Sequence, residues 1–145
     1  MRDVVSFGPA TGFAQTVEVG SHWFAADEPV ERGGTDTGPT PYDLLAAALG
    51  TCTSMTLGFY ARREGIPLED VRVVVRHARI HTEDCAACAT REGRIDHLQR
   101  EIELTGPLSD AQREDLLRIA DRCPVHRTLT SDIHITTRLA SAPAR

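Results

Sequence analysis

The chain has 145 residues, 41% of them hydrophobic and 26% charged, with a formal net charge of -5. This is the profile of an ordinary globular domain, long enough to bury a core without staples. The acidic balance argues against non-specific nucleic-acid binding and against an anionic membrane surface. No bilayer-length apolar run is read, and the start MRDVVSFGPATG lacks the apolar stretch of a secretory leader. The expected compartment is therefore the cytoplasm, with neither nucleic acid nor membrane as partner. There, cysteines serve as thiols, ligands or nucleophiles more than as static bridges.

Taken in chain order, the first residues read as extended. FAQTVEVG alternates as a strand does, and SHWFAAD follows after a turn at Gly20-Ser21. EPVERGGTDTGPTP is dense in Gly, Pro and Thr and is expected as a loop. A long, mostly apolar core helix follows. Thr40 is its N-cap, Pro41 its first residue, and Asp43 completes a capping-box-like pattern. Leu45, Leu49, Cys52, Met55 or Thr56, and Phe59 recur at helical spacing, and the run stops near ARREG at Gly65. VRVVVRHARIH is expected as a strand, with RIDHLQREIELTG antiparallel to it. Ser109 and Gln112 open another helix, which closes at Asp121-Arg122. Cys123-Pro124 starts a short one, and IHITTRLA is expected as a final strand. The order predicts an α+β fold, a long central helix on antiparallel sheet, in a single domain over residues 1–145. The N-terminal hairpin is short enough to be completed by a second subunit.

The four cysteines differ in setting. Cys52 lies inside the long helix, among Thr51, Thr53, Ser54 and Thr56. A buried structural thiol suits that setting as well as a reactive one, and the hydroxyls suit local helix bonding. Cys123 stands at a helix start, where unpaired N–H groups favour a thiolate, with Arg122, His126 and Arg127 nearby. A cysteine serving only as a cap is its alternative. Cys85 and Cys88 form a C-x-x-C beside Glu83 and Asp84, with His77, His81 and His97 in reach along the chain. Zinc, a labile disulfide and two incidental loop cysteines are all open for that pair. Arg32 is the cation of the Gly-rich loop. Next to Cys52 it would stabilise a thiolate and polarise a peroxide; otherwise it is a surface arginine.

Two blocks carry a resemblance: GGTDTGPTPYDLLAAALGTCTSMTL around Cys52 and LLRIADRCPVHRTL around Cys123. With the strand pair between them and the ITTRL segment after them, the chain resembles the OsmC/Ohr family of organic hydroperoxide reductases. The resemblance implies an intertwined homodimer with the cysteine helix at its centre. By motif position Cys52 resembles the peroxidatic cysteine and Cys123 the resolving one, joined as a disulfide after a Cys52 sulfenic acid. The implied substrate is an organic hydroperoxide, reduced to an alcohol, and the implied reductant is a dithiol, notably a lipoyl group. No bound metal, flavin or other cofactor is implied. The family's active site pairs an arginine with a glutamate ten residues before the reactive cysteine; that position is Tyr42 here, next to Asp43, and Arg32 is the candidate arginine. Two other functions stay open: a thiol-based redox sensor or small-molecule-binding protein on the same scaffold, and a zinc-stabilised domain using Cys85 and Cys88.

Overall fold

The structure, a computed structural model, describes residues 1–81 and 93–141. Cys85, Cys88 and the connection that holds them lie outside the described residues. The chain packs into two compact units, Met1–Thr51 with Arg72–Glu103, and Cys52–Val71 with Leu104–Arg145.

The first unit begins with three antiparallel strands, β1 (Val4–Phe7), β2 (Gln15–Val19) and β3 (His22–Ala26), in the order β1-β2-β3. Val17 of β2 stands opposite Phe24 of β3, and Val4 of β1 opposite Val19. The alternation that predicts β2 buries Val17 and leaves Glu18 in solvent. After β3 the chain turns around one buried side chain, Asp27, through a single 3-10 turn at Val30–Arg32. The Asp27 carboxylate accepts hydrogen bonds from the backbone N–H groups of Glu28, Thr35 and Thr37 and from both threonine hydroxyls. The Thr35 hydroxyl bond is the largest cause of a carboxyl held far below its ordinary range; burial opposes it, and Thr37 and the Glu28 N–H reinforce it. Gly34 passes so close to the Glu28 carbonyl that no Cβ would fit there.

Helix α1 (Pro41–Glu64) then starts where the sequence predicts. The Thr40 N–H donates to the Asp43 carboxylate at 2.9 Å, and the Asp43 N–H donates to the Thr40 hydroxyl at 3.2 Å. These bonds hold Asp43 below its ordinary range. Tyr42, in the first turn, stacks on His77 of strand β4 (Asp70–His81), with ring centroids 4.4 Å apart. β4 pairs with β5 (Arg94–Thr105) in a two-stranded sheet. Its cross-strand ion pairs, Arg72–Glu103 at 3.0 Å and Arg76–Glu101 at 3.1 Å, follow the expected antiparallel direction. Both are exposed, so each contributes little to stability.

The second unit takes the C-terminal half of α1, which ends at Gly65 in the left-handed conformation, φ 67°. Helix α2 (Asp110–Ala120) has the predicted capping box of Ser109 and Gln112 at its start. Leu116, Ile119 and Ala120 of α2 are buried, as are Leu57 and Ala61 of α1. The Tyr60 hydroxyl donates to the Asp115 carboxylate at 2.7 Å. Helix α3 (Pro124–Leu129) follows, with Cys123 as its N-cap.

Three expectations are corrected. The buried stripe of α1 is Leu49, Thr53, Leu57 and Ala61, while Leu45, Met55 and Phe59 are exposed. The helix is apolar on most of its circumference, so spacing alone does not choose the face that this chain covers. Second, α1 is long and apolar enough to span a bilayer by length and composition, with an 18-residue window of mean hydropathy 1.4. Third, IHITTRLA forms no strand, and Ile133, Ile135 and Leu139 stand exposed. Alternation prepares a segment for pairing, but a strand exists only where a neighbour completes its ladder, and no described strand of this chain does so.

Candidate active site

Cys52 and Cys123 meet within the second unit, on α1 and at the start of α3, 71 positions apart in the sequence. Both are free thiols; Cys123 is wholly buried and Cys52 half-buried. The two sulfurs are hydrogen-bonded neighbours. The meeting has a local cause. Pro124 fixes the first turn of α3, and that turn presents its unpaired N–H groups to the sulfurs. The His126 N–H donates to Cys123 Sγ at 3.4 Å, and the Val125 N–H is within reach of both thiols.

The surroundings separate the two groups. Burial pushes the Cys52 thiol up. The Val125 N–H and the Thr56 hydroxyl act against this, but the adjoining Cys123 sulfur adds to it, and Cys52 lies above its ordinary value. Burial pushes Cys123 up as well. There the His126 N–H, the Cys52 thiol, the Thr53 hydroxyl and the Val125 N–H together outweigh it, and Cys123 lies below its ordinary value.

Sequence reasoning reached Cys123's helix-start setting from local residues. It did not assign Thr53 and Thr56 to the sulfurs, although they stand one and four positions after Cys52, because a helical hydroxyl also bonds back to its own helix. The backbone donors of Val125 and His126 carry no side-chain signal at all.

Arg32 belongs to the first unit, where it lines a cleft of about 810 Å³ with Glu28, Tyr42, Asp43, His77 and Arg79. The walls are braced: His77 Nε2 lies 2.9 Å from the Asp96 carboxylate, and Arg79 donates to Asp96 at 3.3 Å and to Tyr42. The His77 bond, followed by Arg79, holds Asp96 below the ordinary carboxylate range against the effect of burial. Among the described residues, no three His, Cys, Asp or Glu side chains converge as a metal site. The Cys85–Cys88 pair offered for zinc lies outside those residues.

Residues 34–138 match the model of the OsmC-like protein family. The fold is similar to that of an organic hydroperoxide resistance protein OsmC from Legionella pneumophila, 22% identical, TM-score 0.67, over 90% of this chain and 89% of that one. It is similar to an organic hydroperoxide resistance protein from Elizabethkingia anophelis, 18% identical, TM-score 0.68, over 91% and 89% of the two chains. An OsmC-like protein from Mycoplasma pneumoniae is likewise similar, 18% identical, TM-score 0.69, over 89% and 86%. No curated protein matches the chain significantly.

Proposed function

The chain belongs to the OsmC-like protein family, and on that premise we propose that it is a thiol-dependent peroxidase reducing organic hydroperoxides to alcohols. One observation carries the proposal: a half-buried thiol in hydrogen-bond contact with a wholly buried one at a helix start. A peroxide from solvent meets Cys52 first, because Cys123 exposes no surface. In this reading Cys52 attacks the O–O bond, an alcohol leaves, and Cys52 becomes a sulfenic acid. Cys123, already in contact, displaces water from it and closes a disulfide. A dithiol such as a lipoyl group then reduces that disulfide by exchange. Arg32 enters the proposal as the cation that polarises the peroxide.

A homodimer is part of the same reading. Supporting it are the bare apolar side chains of α1, Leu45, Met55 and Phe59, together with Trp23, which is 75% exposed. Apolar surface of this amount is uncommon on a chain that stays alone. The unpaired alternating segment 133–140 also supports it, since a second chain could complete its ladder.

The test is turnover of an alkyl hydroperoxide with dihydrolipoamide as reductant. Cys52→Ser abolishes reduction. Cys123→Ser still consumes peroxide once per chain but does not cycle through the disulfide. Arg32→Met lowers kcat/KM. Full activity in Cys52→Ser would sink the proposal.

A further inference from the structure

We propose that the cleft of the first unit binds a small monocarboxylic acid, with the Arg32 guanidinium and the Tyr42 hydroxyl as its two donors. Binding there needs neither cysteine, and only Arg32 is common to this site and the proposed peroxide chemistry.

The cleft, of about 810 Å³, falls within the size range of small-molecule sites. Its arginines differ in how far they are already engaged. Arg76 is paired with Glu101 at 3.1 Å, and Arg79 with Asp96 at 3.3 Å. Among the described residues, the Arg32 guanidinium has no hydrogen-bond or ion-pair partner. Its backbone is nevertheless fixed. The Arg32 N–H donates to the Pro29 carbonyl at 2.9 Å, and the Gly33 N–H donates to that of Val30 at 3.0 Å. Gly33 closes this turn in the left-handed conformation, φ 91°. The Asp27 carboxylate ties down the chain on either side of it, at Glu28 and at Thr35 and Thr37. A free guanidinium on a braced turn is a donor fork set in place before any ligand arrives.

The second donor follows from what arginine cannot do. A guanidinium has no acceptor, so the bond between Arg79 and Tyr42 uses the Tyr42 oxygen as acceptor. The Tyr42 O–H is left to donate elsewhere, and among the described residues it meets no acceptor. Tyr42 is 44% exposed, while its ring lies against His77 with centroids 4.4 Å apart and planes 11° from parallel. His77 is tied in turn to Asp96 at 2.9 Å. The ring is thus held by His77 and the oxygen by Arg79, with the hydroxyl proton available.

The charges of the lining select the ligand. Three arginines and three acids, Glu28, Glu31 and Asp43, line the cleft, so these groups carry no formal net charge. A polyanion would meet the acids without enough cations to match it. A single carboxylate suits the free donors, because a guanidinium and a phenol O–H can both be accepted by its two oxygens. Pro29, Ala46, Val75 and Ala78 add apolar surface to the same lining, which suits a short hydrocarbon body.

The experiment is calorimetric titration of the full chain with sodium hexanoate, without peroxide, in wild type and in Cys52→Ser. Hexanamide and inorganic phosphate are the comparison probes. Hexanoate binds saturably and with the same affinity to both proteins. Hexanamide, which keeps the shape and lacks the charge, binds about tenfold more weakly. Phosphate gives no saturable heat. Arg32→Met weakens hexanoate on the order of 30-fold by removing a charge-assisted contact. Tyr42→Phe keeps a ring for His77 and loses only the O–H, and it weakens hexanoate about tenfold. No saturable binding of hexanoate to wild type overturns the proposal, and so does an affinity unchanged in Arg32→Met. An affinity unchanged in Tyr42→Phe overturns the two-donor site. Phosphate binding as tightly as hexanoate overturns the assignment to monocarboxylates.

Discussion

Asp27 shows how much one residue can organise when its partners are close in sequence. Five hydrogen bonds converge on its buried carboxylate from Glu28, Thr35 and Thr37. They wind the Gly-rich loop into a fixed lead-in to α1. Its folded pKa lies below the ordinary carboxylate value. The stabilisation is therefore fully present above about pH 4, the unfolded value, and is lost as pH falls toward the depressed folded one. Asp27→Asn turns one acceptor into a donor that faces other donors, so the variant melts at lower temperature at neutral pH. The gap to wild type narrows on acidification. Thermal denaturation at neutral and acid pH checks this, and a gap that widens in acid would contradict it. The same logic separates the two thiols. Cys52 and Cys123 are chemically identical residues, and only the groups around each sulfur and its burial make their settings differ.

Among the elements, the helix starts were the most legible features of the chain. Thr40 with Asp43, Ser109 with Gln112, and Cys123 with Pro124 each act within four residues, so their geometry is set locally. Ser109→Ala is expected to cost about 1 kcal/mol of stability. Which side of α1 faces inward was not legible, because apolar residues surround it. Leu57 belongs to the face that is buried. Leu57→Ala should accordingly cost about 3 kcal/mol. Denaturant titration of both variants gives these numbers. A Leu57→Ala change as small as that of a surface site would return the inward face to the stripe of Leu45, Met55 and Phe59.

For the whole molecule, the bare surface of α1 carries the argument. Only 28% of its most apolar window is buried within the chain, which leaves a core helix partly uncovered. A second copy of the chain is the proposed cover. Sedimentation should show the wild type as a dimer. Phe59→Glu, at a position 60% exposed in the single chain, should shift it toward monomer by placing a charge in an apolar interface. A wild type that sediments as a monomer at all concentrations would remove the dimer from the proposal.

By itself, the sequence determined what acts over short range. The caps, the β2–β3 hairpin, the loop around residues 28–40 and the cysteine at a helix start all follow from neighbours a few positions apart, and strands β4 and β5 from their own alternation. The two motif blocks also located the family, since they keep the cysteines in recognisable surroundings. Tertiary structure alone decided what depends on distant partners. It brought Cys52 and Cys123 into contact, gave Thr53 and Thr56 to different sulfurs, chose the covered face of α1 and left 133–140 unpaired. Spacing records which residues share an element, but contact, burial and hydrogen bonding depend on what folds against it.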